Sequence, residues 1–224
     1  MMGHIEHHPN DETILSYAAG SLPAAMALVV GCHLQYCSAC RERVAQADAV
    51  GGSLMSQLQE KPLSDGRRES MMALLDASPS GEASPAAAHE SSPAAASRSE
   101  LPRLLRNLVD QDDFDSLPWK SIVPGMKQVD LKCGEGDAKL LRIAAGKQMP
   151  VHTHRGHELT LILRGGYSDS LGKFNAGDFA DLDGSVEHQP IADADQDCIC
   201  LAGMDAPLEF RGWIAKLVQP FIKI

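Results

Sequence analysis

The chain has 224 residues, of which 44% are hydrophobic but only 4% aromatic, and its formal net charge is -10. That length holds one large domain or two small ones with mostly aliphatic cores. The acidic balance excludes a basic nucleic-acid-binding face, so no direct contact with nucleic acid is expected.

Met1 to Asn10 carries no apolar run and no cleavage pattern, so no secretory signal is expected. The longest apolar stretch, Leu22 to Gly31, is too short to span a bilayer. Six cysteines, Cys32, Cys37, Cys40, Cys133, Cys198 and Cys200, are unevenly spread, and three sit among metal-type neighbours. That usage fits a reducing, cytoplasmic setting better than a disulfide framework.

Residues 11–77 read as helical. Asn10 caps a first helix with Asp11 and Glu12 in its opening turn, and Gly20 ends it. Pro23 suits the first turn of a second helix running toward His33. A third opens at Ser38 or the Cys37 turn and ends near Gly51-Gly52; a fourth spans Arg67 to Ala77 with Met71, Met72, Leu74 and Leu75 as an apolar stripe. Residues 78–99 are rich in Ser, Pro and Ala with no large apolar side chain, which predicts a flexible linker. Leu101 to Val109 reads as a short docking helix. From Trp119 onward short β-prone runs (Val129–Leu131, Ala138–Ile143, Leu159–Leu163, Phe179–Leu182, Cys198–Leu201) alternate with Gly and Asn/Asp turns. That pattern predicts an antiparallel sandwich or barrel.

Two metal-ligand patterns stand out. In His33-x3-Cys37-x2-Cys40 the first two residues are four apart, which puts them on one helix face, and Cys40 returns from the next turn of chain. The fourth ligand is sought at His8 or His7. Two imidazoles and two thiolates make a closed, structural zinc set, which staples so small a segment. Cys37 and Cys40 alone could be a redox pair or core cysteines; His33 tips the reading to zinc. Cys32 is expected off the ligand face.

The second pattern is Gly146-x5-His152-x-His154-x3-Glu158-x6-Gly165, followed by His188. His152 and His154, two apart on a strand, face one side. Glu158 follows past a turn at Arg155-Gly156, and His188 is expected on a facing strand. Three imidazoles and one carboxylate leave open positions on a divalent ion; zinc is the first choice, with iron, manganese or nickel compatible. His157 and His89 fall outside the set. Cys198 and Cys200 share one side of a strand and are expected not to be ligands in the resting state.

The first pattern, with Leu-Ser-Tyr-Ala-Ala-Gly at 15–20 and Gly51-Gly-Ser-Leu-Met55 around it, resembles the zinc-binding anti-sigma domain, and the ChrR-type group in particular. The second matches the first cupin motif at every fixed position. The second cupin motif is weaker: Gly177 opens it and His188 closes it, but Asp183 stands in place of the usual Pro and Ala192 in place of Asn. The resemblance implies a multi-domain α plus β chain: a zinc-stapled helical bundle at residues 1–80, a linker and docking segment at 81–112, and a cupin β-barrel at 113–224. It selects His8 over His7 as the fourth zinc ligand. It also implies a non-enzymatic regulator that inhibits an extracytoplasmic-function sigma factor and releases it under singlet oxygen or organic peroxide. The competing class is a metal-dependent cupin enzyme, a dioxygenase or isomerase with a helical appendage. The cupin motif alone does not separate the two, because one fold serves many functions.

Overall fold

A computed structural model describes residues 4–77, 100–206 and 208–210, so the 78–99 run lies outside the described residues. Five helices come first: α1 (Asp11–Ala18), α2 (Ala24–Leu34), α3 (Ser38–Ser56), α4 (Arg67–Ala77) and α5 (Arg103–Val109). Asn10 caps α1 as expected, its side chain accepting from the Thr13 N–H at 2.7 Å. Pro23 precedes the first residue of α2. Helix α3 overruns the Gly51-Gly52 pair by a turn, since two glycines weaken a helix without stopping it. Among the described residues no helix is long and apolar enough to cross a membrane.

Twelve strands follow: β1 (Lys120–Val123), β2 (Met126–Leu131), β3 (Asp137–Ile143), β4 (His152–His154), β5 (Glu158–Arg164), β6 (Gly166–Asp169), β7 (Gly172–Asn175), β8 (Phe179–Leu182), β9 (Glu187–His188), β10 (Ile191–Ala192), β11 (Cys198–Met204) and β12 (Leu208–Phe210). All pair antiparallel, in a six-stranded sheet ordered β1-β2-β3-β11-β5-β8 and two three-stranded sheets, β10-β6-β7 and β12-β4-β9.

The central strands of the six-stranded sheet are buried on both faces, which is why β5 and β11 read as near-continuous apolar runs, whereas edge strand β1 is exposed to half-buried. One face, with Leu141, Ile162, Cys198, Cys200 and Ala202, packs inward against Tyr167 and Phe174 of the β10-β6-β7 sheet. The other, with Leu140, Leu159, Leu161, Ile199 and Leu201, is covered by Met26, Val29 and Val30 of α2 and Leu105 of α5. Helix α2 is apolar nearly all round because sheet and helices enclose it. Each of its large side chains contributes roughly 1.5–3 kcal/mol by burial.

The chain accordingly divides into one compact unit of Met1–Gly51 with Ser99–Ile224 and a second of Gly52–Arg98. The first helices and the β domain thus form one unit. In the second unit the described apolar side chains are exposed, among them Met71, Met72, Leu74 and Leu75 at 53–70%.

Helix α2 meets β11 closely enough that a Cβ on Gly203 would lie 2.7 Å from the Ala25 carbonyl oxygen and 2.8 Å from Val29 Cγ2. Gly203→Val is therefore expected to destabilise the fold by about 1–3 kcal/mol through overpacking. Urea unfolding checks it, and an unchanged midpoint contradicts the tight contact.

Candidate metal centres

The helical site is built at the joint between α2 and α3. Helix α2 stops at Leu34, and the backbone N–H groups of Tyr36 and Cys37 close the turn onto the His33 carbonyl at 2.9 and 3.0 Å. His33 and Cys37 therefore do not share one helix, as the four-residue spacing suggests. The turn brings Cys37 back beside His33, and Cys40 sits in the first turn of α3.

His8 arrives on an extended strap before α1. The strap is tied to the β domain: the N–H groups of Glu6 and His7 donate to the buried Asp178 carboxylate at 2.7 and 3.1 Å, and Phe179 N–H donates to the His7 carbonyl at 3.1 Å. His7 itself stacks on Phe174 at 4.3 Å and reaches the Lys173 carbonyl, so His7 is engaged away from the thiols.

The ligating atoms of His8, His33, Cys37 and Cys40 all lie within 4.8 Å of one another. His8 Nδ1 is 3.4 Å from both the Cys37 and the Cys40 sulfur, and His33 Nε2 is 3.3 Å from the Cys40 sulfur. A tetrahedron with metal–ligand arms of about 2.0–2.3 Å has edges of about 3.5 Å, so these separations fit a zinc-sized ion.

The electrostatics agree. Burial pushes His33 down to about 4, so its ring is neutral, as a ligand must be. The Gly177 carbonyl can only accept, so His33 Nδ1 donates to it at 3.1 Å and the lone pair sits on Nε2, toward the thiols. Without a metal, burial and then the Cys37 sulfur raise the Cys40 thiol to about 11. Arg43, whose Nη1 lies 3.8 Å from the Cys40 sulfur, favours the thiolate instead. Cys32 lies elsewhere, in the core under α2, where burial pushes it up to about 12.

The second site lies between the sheets. His152 on β4 is in register with His188 on the adjacent strand β9, and their rings are 4.5 Å apart. His188 is thus a neighbour of His152, where the sequence suggests a facing strand. The carboxylate comes from the other wall: Glu158 opens β5 in the six-stranded sheet and accepts from Thr160 Oγ1 at 2.8 Å. His154 ends β4, with its backbone in register with Leu208; its side chain lies outside what the structure describes.

Both described rings are preset for ligation. His152 Nδ1 donates to the Pro150 carbonyl at 2.9 Å, and His188 Nδ1 donates to the Asp169 carboxylate at 2.8 Å. In the neutral rings this leaves Nε2 as the ligating atom of each. His152, Glu158 and His188 share a cavity of about 30 Å³ with Leu141, Ile143, Met149 and Tyr167. That is room for an ion and one or two water-sized partners. Imidazole nitrogen and carboxylate oxygen are the donor types that divalent ions take, although among the described residues only His8, His33, Cys37 and Cys40 bring their ligating atoms together as a cluster.

Cys200 also lines the cavity, whereas Cys198 is buried without reaching it. The neighbouring Cys198 sulfur, then burial, raise the Cys200 thiol well above its ordinary value, which keeps it protonated. His157 is exposed, with its backbone N–H on Asp205. Asp169 and Asp178 carry no signal in the spacing, because each acts on residues distant in sequence; Gly177 is visible only as the opening of the second cupin motif, and its hold on His33 runs through its backbone carbonyl.

Residues 110–206 match the ChrR cupin-like domain family. The chain is 42% identical to the anti-sigma-E factor ChrR of Cereibacter sphaeroides over 98% of its own length and 99% of that protein. The chain belongs to the ChrR family. In a solved structure, Rhodobacter sphaeroides SigE is in complex with the anti-sigma ChrR; a chain there superposes with a TM-score of 0.74 at 38% identity, covering 90% of this chain and 100% of that one. The N-terminal helices, His/Cys cluster and antiparallel β domain thus follow a ChrR-type arrangement along nearly the whole chain.

Proposed function

We propose that this chain is a cytoplasmic anti-sigma factor that binds and inhibits an extracytoplasmic-function sigma factor. The observation that carries the reading is the close-set His8, His33, Cys37, Cys40 cluster in a chain that a ChrR relative matches almost end to end. Zinc at that cluster fixes the strap, α1 and α3. The functional division is a helical module at residues 1–80, a linker and docking segment at 81–112, and a cupin at 113–224. The exposed apolar side chains of α4, Met71, Met72, Leu74 and Leu75, supply the partner contact, since such a stripe on so small a unit marks an interaction surface.

The cupin is the sensor, holding one divalent metal at His152, His154, Glu158 and His188 and responding to singlet oxygen or an organic peroxide. One short strand links the two centres. Leu182 at one end of β8 is in register with Glu158, and just before its other end Gly177 holds His33 while Asp178 holds the strap. A shift of β8 at the cupin site therefore reaches two zinc ligands. The alternative, a metal-dependent cupin enzyme, has less support, because the relative that matches this chain almost end to end is an anti-sigma factor.

The test is a reporter driven by the cognate promoter. The full-length chain is expected to silence it and to release it under oxidative stress. Failure to silence overturns the sigma-factor reading; silencing without release overturns only the sensor.

Cys198 and Cys200 are not ligands in this account. Cys198→Ser is expected to leave the cupin metal content unchanged, whereas His188→Ala lowers it. Equal losses in elemental analysis would contradict the assignment.

A further inference from the structure

We infer that Asp169 is a positioning residue of the cupin metal site: it holds His188 in its ligating orientation and sets how tightly the site keeps its metal. This rests on the reading that the cavity holds a divalent ion.

The two side chains come from different sheets, Asp169 at the end of β6 and His188 at the end of β9. Their strands do not pair with each other, so it is the side-chain bond that ties the ring to the β6–β7 hairpin. Asp169 Oδ2 lies 2.8 Å from His188 Nδ1, and the side chains are 0% and 3% exposed. Its other oxygen, Oδ1, accepts from the Leu171 N–H at 2.8 Å, which locks the carboxylate to the β6–β7 turn. A carboxylate this buried is costly without partners, and both of its oxygens are engaged.

The chemistry of the pair is directional. A carboxylate accepts only, so the proton stays on His188 Nδ1 and the lone pair on Nε2. Its negative charge also complements the positive charge of a bound cation across the ring. His152 differs: its Nδ1 leans on the neutral carbonyl of Pro150, two residues away in the chain.

The test uses the full-length chain loaded with zinc, titrated against a competing chelator, as wild type, Asp169→Ala and Asp169→Asn. Asn keeps an acceptor oxygen at the same reach but removes the charge. The expected result is a cupin equivalent held roughly 10–100-fold more weakly in Asp169→Ala, and intermediate in Asp169→Asn. The N-terminal equivalent is expected to be unchanged in both, which a general loss of folding would not allow. Equal cupin affinity in all three proteins overturns the inference, as does parallel weakening of both equivalents. A wild-type chain that binds only one equivalent overturns the cupin-metal reading and the inference with it.

Discussion

Cys37→Ser is expected to strip the N-terminal metal and abolish sigma-factor binding. Four ligating atoms lie within 4.8 Å, and two of them are sulfurs. A serine hydroxyl is a harder and shorter ligand that stays protonated at neutral pH. Structural zinc contributes an apparent ~10–16 kcal/mol in zinc-finger peptides, against a typical net stability of about 5–15 kcal/mol for a domain. Losing even a third of that term undoes a small module. The damage stays local, however. Helix α2 is held by the six-stranded sheet through Met26, Val29 and Val30, so the strap, α1 and α3 loosen while the β domain persists. Metal analysis is expected to show one equivalent lost and the cupin equivalent kept. A variant with both equivalents and unaltered partner binding would contradict the structural role of the cluster.

The second large effect is expected from His152→Ala combined with Glu158→Ala. The two side chains come from opposite walls of the cavity, so their joint loss removes a ligand from each sheet. One metal equivalent is expected to disappear while the N-terminal zinc remains. The variant is expected to keep inhibiting the sigma factor but to stay bound under oxidative stress. Full metal stoichiometry would remove the cupin site from the account. Normal release by a metal-free cupin would separate the site from sensing.

The His/Cys cluster was legible because its spacing encodes one local turn: His33, Cys37 and Cys40 lie within eight residues. The residues alone did not separate His8 from His7. That choice depends on Phe174 and Lys173, which engage His7 from more than 160 positions away. Glu158 was legible as the next residue after a visible turn. The neighbour relation of His152 and His188 was not, because short strands with weak turn signals leave the pairing order open. Asp169 and Asp178 gave no signal, since an Asp in a turn usually serves only its own backbone, as Asp169 also does for Leu171. The apolar run of α2 carried a message about the fold: a helix without a polar face must be enclosed. That enclosure is why the first helices join the β domain in one compact unit.

The central claim is that the chain is an anti-sigma factor whose grip depends on the zinc cluster. The most direct measurement is transcription in vitro from the cognate promoter, with RNA polymerase, the sigma factor and increasing full-length protein. Transcription is expected to fall to background near one equivalent of zinc-loaded protein and to be untouched by Cys37→Ser protein. Undiminished transcription at excess zinc-loaded protein, with no complex on size exclusion, would contradict it.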